Sequence, residues 1–423
     1  MAVAALKQRH PLCLRTNALK LIQLLVGAFL VLSPQLLAAN VDELATNFDW
    51  HFRQTLKKNN IPGAAYAIVK DNRVVKVGAY GVRSVGSKSN IDAYTVFRLA
   101  SVSKTFAGQL SSLLVHQGRF QWDDPVTRYV PSFSFKSPRH TGALKVEHLL
   151  SQSAGLVPNT YDDLIEANQT PAQILPKFRY LNPRCNPGKC YGYQNVLFSL
   201  IRPVMEKTTG SSYESLMEQK LFKPLKMPTA SVGYSAFLAS KNRAMPHVRV
   251  KRGWAETKVN PSYYRVSPAA GVNASVMDMS QWLMAQLGQY PAVLSPAMLQ
   301  DVRTKRVKVA DDLGGRTWGQ YVTTSHYGLG VRIFNFGGHE VYYHGGWVKG
   351  YRTEMAYSKE KGVGFVVLIN AETNLVGDLS TWFWSNLLAV KPKQKKRMAA
   401  QMQDEWQLEM DEEIQWQAPL LAD

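Results

Sequence analysis

The chain has 423 residues, of which 45% are hydrophobic and 19% charged. This composition can bury a core, and it excludes a wholly disordered chain, a collagen-like repeat and a small disulfide scaffold. Fifty lysines and arginines outnumber 31 aspartates and glutamates, giving a formal net charge of +19, which favours contact with nucleic acid or an anionic surface. At roughly 150 residues per domain the length suggests two or three domains.

The first 39 residues have the layout of a secretory signal peptide. Four basic residues and no acidic one occur in residues 1–20, an apolar run covers residues 21–32, and small residues follow Pro34. A basic region, an apolar region and small residues in this order predict cleavage near Ala39 and export to the bacterial periplasm or the exterior. An uncleaved membrane anchor is the alternative, because the run to Ala39 is nearly long enough to span a bilayer. Cleavage would leave 46 basic residues against 31 acidic ones.

Helical and strand patterns then alternate along the chain. Apolar spacing predicts a helix over 41–59, two strands within 63–81 around an Asp71-Asn72 turn, and a helix over 102–117. Residues 120–320 are mostly helical in pattern, with proline and glycine in the connections and helices at 213–221 and 276–287. Four strands and a closing helix follow, over 327–333, 340–344, 351–357, 362–369 and 375–388.

Strands at both ends of the chain and helices in its middle predict an α/β (α+β) fold. We expect an antiparallel sheet flanked by helices, built from residues 40–100 and 321–390, with a mostly helical insertion over 101–320. These parts form one catalytic domain, residues 40–390. The remaining residues, 391–423, begin with a basic cluster and end in an acidic stretch. Such charge segregation predicts a solvated appendage, with a docking arm as the alternative.

Two of the three cysteines lie close together in the exported part of the chain. Cys185 and Cys190 flank a Pro-Gly turn. In an exported protein such a pair can close a small disulfide loop. Two free thiols are the alternative, and a metal site is a weak interpretation because no further ligands lie nearby.

The segment Ser101-Val102-Ser103-Lys104 lies where a strand pattern changes into a helical one. Ser101 and Lys104 are three residues apart, so both side chains can face the same side of the first helical turn. The helix dipole favours an alkoxide at Ser101, and the dipole together with burial would lower the pKa of Lys104. A neutral lysine can take the proton of a neighbouring serine. Alone, the pattern fits a helix cap with a surface lysine equally well.

Two further elements follow this segment in order. They are Pro187–Asn195 (PGKCYGYQN) and His344-Gly345-Gly346 at the end of a predicted strand. Together the three elements resemble the serine β-lactamase and penicillin-binding protein superfamily, closest to class C β-lactamases and their esterase and D-aminopeptidase relatives. The resemblance covers residues 42–390, and it is supported by SVSKTF at 101–106, DDPV at 123–126, HLLSQSAGL at 148–156 and Ala270-Gly271.

The resemblance implies a role for each matching residue. Ser101 corresponds to the nucleophile and Lys104 to the lysine that activates it. Tyr193 corresponds to the tyrosine that relays a proton between the serine and the leaving group, and Asn195 to the asparagine that holds the lysine and a substrate carbonyl. The oxyanion hole of the family would be formed here by the backbone N–H groups of Ser101 and Trp347.

The third motif departs from the class C pattern. His344-Gly345-Gly346 stands where those enzymes have Lys-Thr-Gly, and the lysine helps to hold the β-lactam carboxylate. A histidine is charged only below a pKa near neutrality, so efficient β-lactam hydrolysis is in doubt. This favours an activity like that of the esterase and D-peptidase relatives. Arg352 and Lys349 are candidates to supply the missing charge. The two glycines would let the substrate backbone lie close to the strand.

Several of these residues also have a structural interpretation. Tyr193 fits a buried structural tyrosine, and His344 a hydrogen-bonded strand histidine. Gln152 is a candidate substrate contact in the resemblance, with loop structure as the alternative. Gln194 replaces the serine that family members usually carry between the tyrosine and the asparagine.

Other motifs fail on spacing. His339 and His344 are one residue too far apart for a helical zinc protease signature, and in a strand an offset of five directs them to opposite faces. Neither a nucleophile elbow nor a nucleic-acid module is present.

The sequence therefore predicts an exported serine hydrolase that forms an acyl-enzyme on Ser101 and needs no metal or cofactor. Its predicted partner is a substrate: a β-lactam, a D-amino-acid peptide or an ester. We expect no specific binding of nucleic acid, and peripheral association with the cell envelope is a candidate property. A carboxylesterase and a non-catalytic penicillin or peptide binder are the alternatives, and the oligomeric state stays open.

Overall fold

The computed structural model describes residues 41–310 and 315–393. The predicted signal segment and most of the predicted tail lie outside these residues. The first part of that tail is described, and it packs against the domain: the Lys393 ammonium donates to the carbonyl oxygens of Gly319 at 3.2 Å and Val322 at 2.5 Å. No helix in the described ranges combines the length and the apolar character that a membrane crossing needs.

An eight-stranded antiparallel sheet forms the α/β part of the molecule. Its strands are β1 (Gly63–Lys70), β2 (Arg73–Gly81), β8 (Val307–Val309), β9 (Val322–Tyr327), β10 (Arg332–Phe336), β11 (His339–Val348), β12 (Tyr351–Ser358) and β13 (Val363–Ile369). They lie in the order β2-β1-β13-β12-β11-β10-β9-β8. The two ends of the chain meet at the β1–β13 pair, where Ala64 lies opposite Ile369. The mixed fold with an antiparallel sheet is the one predicted from the sequence.

Five short strands lie outside this sheet. A three-stranded sheet joins β3 (Phe97–Arg98), β7 (Val272–Ala274) and β4 (Ser231–Val232), and a hairpin joins β5 (His247–Val250) to β6 (Gly253–Glu256). The β3–β7 pairing fixes the chain immediately before Ser101 to the inserted part.

Two terminal helices cover one face of the large sheet. They are α1 (Val41–Lys58) and α14 (Leu375–Leu388). Aromatic rings of both helices pack on Phe365 of the sheet. The Phe48 ring meets it edge-on, with 5.1 Å between the ring centroids, and the Phe383 ring stacks on it at 4.6 Å. Burial of each such ring contributes roughly 1.5–3 kcal/mol, so this face forms a core of its own.

The other face of the sheet packs on the inserted helices. These are α2 (Ser103–His116), α3 (Pro138–Ala143), α4 (Val146–Leu150), α5 (Asp162–Glu166), α6 (Pro171–Ile174), α7 (Ile201–Thr209), α8 (Tyr213–Met217), α9 (Tyr234–Ala239), α10 (Ser267–Ala270), α11 (Val276–Gln286) and α12 (Pro296–Arg303). The short helix α13 (Gly315–Trp318) lies on the first face, since Trp318 belongs to the core of α1 and α14. Because strand side chains alternate, Ala65 and Ala67 of β1 join the core beneath these helices, while Ala64 and Tyr66 join the α1–α14 core. Helix α2 is central, since Phe106 stacks on Trp282 at 3.9 Å.

The structure corrects one predicted strand. The apolar segment 327–333 is not a single strand, because residues 328–331 connect β9 to β10. Gly330 has a φ of +77°, and a Cβ on it would lie 2.1 Å from the Lys104 carbonyl oxygen. The turn therefore needs glycine in order to pack on α2. Strand β8 is a second difference, since it joins the large sheet from within the segment predicted to be mostly helical.

Candidate active site

Ser101 lies on a tight turn between β3 and α2. The turn is a single 3-10 turn, Ala100–Val102, and Ala100 has a φ of +49°, a left-handed conformation that costs a non-glycine residue of the order of 1 kcal/mol. Two hydrogen bonds hold it: Thr353 Oγ1 donates to the Leu99 carbonyl at 2.9 Å, and the Val272 N–H donates to Ser103 Oγ at 2.9 Å. The strain is thus compensated by neighbouring strands, and Ser103 is structural.

Lys104 is the second residue of α2, one helical turn after Ser101, and is completely buried. Its Nζ lies 3.3 Å from Ser101 Oγ and donates to Asn195 Oδ1 at 2.6 Å and to the Ala269 carbonyl at 3.1 Å. The interpretation as a surface lysine beside a helix cap is therefore wrong. Burial lowers the pKa of Lys104 to about 7, with Arg332 acting in the same direction and Asp162 opposing it. A substantial neutral fraction is present near neutrality, which is the form able to accept a proton from Ser101.

Tyr193 and Asn195 face this lysine from the loop between α6 and α7. The Lys104 ammonium lies 4.6 Å from the centre of the Tyr193 ring. Burial raises the pKa of the Tyr193 phenol, and a hydrogen bond with Ser101 only partly opposes this shift. The phenol is therefore protonated at neutral pH and can donate a proton beside the nucleophile.

The loop that carries Tyr193 is held on both sides. Its preceding segment contains a disulfide between Cys185 and Cys190, with an S–S distance of 2.04 Å. Gly192 fits because a Cβ there would lie 1.9 Å from the Leu156 carbonyl oxygen. The Asn159 N–H donates to the Tyr193 carbonyl at 2.7 Å. The tyrosine is thus placed by packing against residues 156–159.

Gln152 is a brace for this loop. Its Nε2 donates to the Gln194 carbonyl at 3.1 Å, and its Oε1 accepts the Gln194 N–H at 2.6 Å. It is buried and does not line the cavity described below. The prediction of a substrate contact at Gln152 is therefore corrected to the structural alternative, because both ends of its amide are occupied by the backbone of Gln194.

Strand β11 carries the third motif past the nucleophile. Its ladder with β10 ends at Tyr343, whereas its ladder with β12 continues to Val348. Residues 344–348 therefore have a strand partner on one edge only. A Cβ on Gly346 would lie 2.3 Å from the Leu99 carbonyl oxygen and 2.3 Å from Thr353 Oγ1. Glycine is required here because the strand packs against the turn that carries Ser101. The expected reason was instead access of the substrate to the strand.

His344 is buried and neutral. Tyr327 Oη lies 2.9 Å from Nε2 and the Gly345 carbonyl lies 2.8 Å from Nδ1. The carbonyl can only accept, so Nδ1 carries the proton and Nε2 accepts from Tyr327. Burial, with Lys104 and Arg332 adding to it, holds the pKa of His344 well below its usual value. This differs from the expectation of a histidine that titrates near neutrality, because burial and the two neighbouring cations disfavour a second proton on the ring.

Trp347 and Arg352 form the rim of the site. Trp347 is 60% exposed, its Nε1 donates to Glu372 Oε1 at 3.3 Å, and the Arg352 guanidinium lies 4.0 Å from the centre of its ring. Arg352 is thereby stacked on an aromatic face at the cavity mouth.

A cavity of about 1000 Å³ opens above Ser101. It brings together Ser101, Tyr193, Asn195, His344, Gly345, Gly346, Trp347 and Arg352 from the predicted site. It also adds residues that the sequence analysis missed: Arg98, Asp162, Glu166, Tyr263 and Arg332. These lie on four different elements without a local motif, so only the tertiary fold identifies them. Among the described residues, no three histidine, cysteine or acidic side chains are grouped to hold a metal ion.

This geometry, with a serine, a buried lysine and a tyrosine from separate elements, defines a site of the serine β-lactamase and penicillin-binding type. The chain belongs to the Beta-lactamase family, whose family model matches residues 48–389. Membership supports a serine hydrolase in general.

Curated relatives carry related names at low identity. The chain is 25% identical over 348 residues to an unguisins hydrolase of Aspergillus campestris, covering 78% of this chain and 62% of that protein. It is 26% identical over 238 residues to a beta-lactamase of Escherichia coli K12, covering 55% and 58%. The chain thus spans about three fifths of the length of these relatives.

Two solved structures share the fold. One is an octameric penicillin-binding protein homologue from Pyrococcus abyssi, with a TM-score of 0.71 and 23% identity, over 83% of this chain and 78% of that one. The other is a D-stereospecific amidohydrolase from a Streptomyces species, with a TM-score of 0.62 and 21% identity, over 77% and 94%. At these identities the likeness concerns the fold.

Proposed function

We propose that this protein is an amide hydrolase that forms an acyl-enzyme on Ser101 and acts on D-amino-acid-containing peptides. The observation that carries the proposal is the contact of Ser101 with a completely buried Lys104, whose pKa is lowered to about 7. In acylation, Lys104 takes the Ser101 proton while Oγ bonds to the substrate carbonyl carbon. The tetrahedral oxyanion then collapses, the carbon–nitrogen bond breaks, and the amine leaves with a proton.

Tyr193 favours amides over esters in this scheme. An amine leaves only after it is protonated, whereas an activated alkoxide or phenolate leaves unaided. Tyr193 is protonated at neutral pH because of its burial, and its hydroxyl is hydrogen-bonded to Ser101. It is therefore suited to protonate the leaving nitrogen, and in reverse to activate the water that hydrolyses the acyl-enzyme.

The neutral state of His344 favours peptides over β-lactams. A lysine in the third motif would offer a fixed charge to a β-lactam carboxylate, and His344 offers none at neutral pH. Arg352 lies at the rim, stacked on Trp347. The name of a D-stereospecific amidohydrolase among the similar structures agrees with amides as substrates.

We also propose that the protein acts outside the cytoplasm. The basic and apolar residues 1–39 support export. A disulfide between Cys185 and Cys190 agrees with an oxidising compartment.

A labelling experiment and a substrate panel test this function. A fluorophosphonate and a fluorescent penicillin should label the wild type covalently and fail to label Ser101→Ala, with intact mass locating the adduct. A D-Ala-D-Ala peptide, nitrocefin and p-nitrophenyl acetate are then compared by kcat/KM, and we expect the peptide to be preferred.

Each other result of this experiment supports a different function. Turnover of the ester alone would support a carboxylesterase, and preference for nitrocefin a β-lactamase. If the folded protein binds penicillin reversibly but shows neither labelling nor turnover, the proposal of an enzyme is overturned and a binding protein is supported. Ser103→Ala, which changes the structural serine two residues away, is the matched control and should still be labelled.

A further inference from the structure

Asp162 lies at the start of α5, outside every motif of the sequence, and lines the cavity beside Asn195. Asn195 Nδ2 donates to Asp162 Oδ2 at 2.6 Å. On the other end of the same amide, Asn195 Oδ1 accepts from Lys104 Nζ at 2.6 Å. The three side chains therefore form a continuous chain of hydrogen bonds from a carboxylate to the candidate general base.

The amide orientation of Asn195 follows from its two neighbours. A carboxylate can only accept and an ammonium can only donate. With Asp162 ionised, the Asn195 nitrogen must face Asp162, and its oxygen is then available to Lys104. Without Asp162 the Asn195 nitrogen loses this acceptor, and only the ammonium form of Lys104 then holds the amide oxygen toward it. A neutral lysine can also accept a hydrogen bond, so in the form that acts as the base nothing stops the amide from rotating and presenting its N–H groups to the lysine.

Charge acts along the same path. The hydrogen-bond partners of Lys104 Nζ in the described chain are oxygens of Ser101, Asn195 and Ala269, all neutral. Arg332 and His344 also face the lysine from β10 and β11, and Arg332 disfavours its charge. Asp162 is the carboxylate whose negative charge favours the ammonium form against burial.

The surroundings of Asp162 keep it close to the catalytic loop. The Asn159 N–H bonds to the Tyr193 carbonyl at 2.7 Å, and Gln194 Nε2 bonds to the Val157 carbonyl, so residues 157–162 and 193–195 are joined side by side. Glu166, Asp163, Tyr193 and Tyr263 are the other titratable groups facing Asp162. Its own burial and the two neighbouring carboxylates raise its pKa, while Asn195 and Lys104 oppose that shift.

We propose that Asp162 is a positioning residue for the base: it orients the Asn195 amide toward Lys104, and its negative charge offsets the burial of the Lys104 ammonium. The proposal rests on the proposed function, in which Lys104 takes the Ser101 proton. It assigns to Asp162 control over the pH at which the nucleophile becomes active.

Two substitutions separate the two effects. Asp162→Asn removes the charge but keeps an oxygen that can accept from Asn195, so the amide orientation is retained. We expect the acid limb of the pH profile for Ser101 labelling by a fluorophosphonate to move to lower pH by about one unit, the size typical of a lost neighbouring charge. Asp162→Ala also removes the acceptor, and we expect the plateau labelling rate to fall by at least tenfold. Asp163→Asn, an exposed carboxylate beside it, is the matched control and should leave both quantities unchanged.

A direct titration keeps this test separate from the proposed function. The Lys104 ε-carbon is followed by NMR in lysine-labelled protein, assigned with Lys104→Arg, and its midpoint should fall in Asp162→Asn. If the wild type shows no labelling at Ser101, the proposed function fails, and the NMR midpoint still tests the charge effect of Asp162. The Asp162 proposal is overturned if Asp162→Asn moves neither the acid limb nor the NMR midpoint, or if folded Asp162→Ala labels within twofold of wild type.

Discussion

Tyr327 on β9 donates its phenolic hydrogen to Nε2 of His344 on β11, with 2.9 Å between the oxygen and the nitrogen. This bond occupies the one nitrogen at which a neutral histidine could gain a proton. The third motif therefore presents a fixed, uncharged imidazole beside Lys104 and Arg332, where a cation would be repelled.

Removal of that donor should destabilise the protein. In Tyr327→Phe the buried Nε2 of His344 keeps no donor, and the loss of one partner of a buried hydrogen bond costs about 1–3 kcal/mol. The free energy of unfolding from urea denaturation measures the effect. Tyr321→Phe is the matched control, because the Tyr321 ring stacks on Phe336 and its hydroxyl makes no hydrogen bond within the described ranges. An equal, small loss in both variants would contradict the assigned hydrogen bond.

The rate of Ser101 labelling should depend on the protonation of Lys104. The lysine must be neutral to accept a proton, and its pKa is lowered to about 7. Below pH 7 we therefore expect the labelling rate to rise about tenfold per pH unit, and above it to level off. Stopped-flow or gel-based labelling from pH 5 to 9 measures this profile.

Lys104→Arg provides the control for that profile. The guanidinium stays charged throughout this range, so we expect a loss of about 10²–10⁴-fold in the plateau rate and no acid limb. A wild-type rate that first rises near pH 10 would show that Lys104 titrates as an ordinary lysine.

Tyr193→Phe should separate amide from ester substrates. The variant keeps the ring but loses the proton donor beside Ser101. For a peptide amide we expect kcat/KM to fall by about 10²–10⁴-fold, and for the p-nitrophenyl ester of the same acyl group by less than about tenfold. Tyr191→Phe, whose hydroxyl accepts from Arg332 at 3.0 Å, is the control and should affect both substrates alike. Equal losses on both substrates in Tyr193→Phe would remove the argument for an amide hydrolase.

Gly346→Ala should displace the nucleophile turn. The added methyl group would lie 2.3 Å from the Leu99 carbonyl oxygen, and Leu99 precedes the turn that carries Ser101. We expect a loss of at least about 1–3 kcal/mol in stability, typical of overpacking, together with a labelling rate at least tenfold lower. Gly142→Ala, where an added Cβ meets no atom within 4 Å, is the control, and wild-type behaviour of Gly346→Ala would contradict the assigned contact.

The sequence predicted the elements whose signals are local. The Ser101–Lys104 pair lies within one helical turn, and the closing helix has the predicted bounds, Leu375–Leu388. The β9–β10 turn is not apparent in the sequence because apolar residues surround its glycines, and the need for Gly330 arises from contact with the Lys104 carbonyl oxygen. Asp162 and Arg332 reach the site from distant positions, and the state of His344 depends on Tyr327. Such relationships are set by packing, and one sequence does not contain them as a pattern.

The candidate catalytic groups lie where the sheet meets the inserted helices, since Ser101 lies on the turn before α2 and Lys104 in the first turn of α2, while His344 and Gly346 belong to β11. The core beneath them is shared, with Ala65 of β1 and Phe106 of α2 in one cluster. The inserted part therefore cannot loosen without pulling the nucleophile away from the strand that faces it. On heating, we expect the labelling of Ser101 and the tertiary order of the domain to be lost in a single transition.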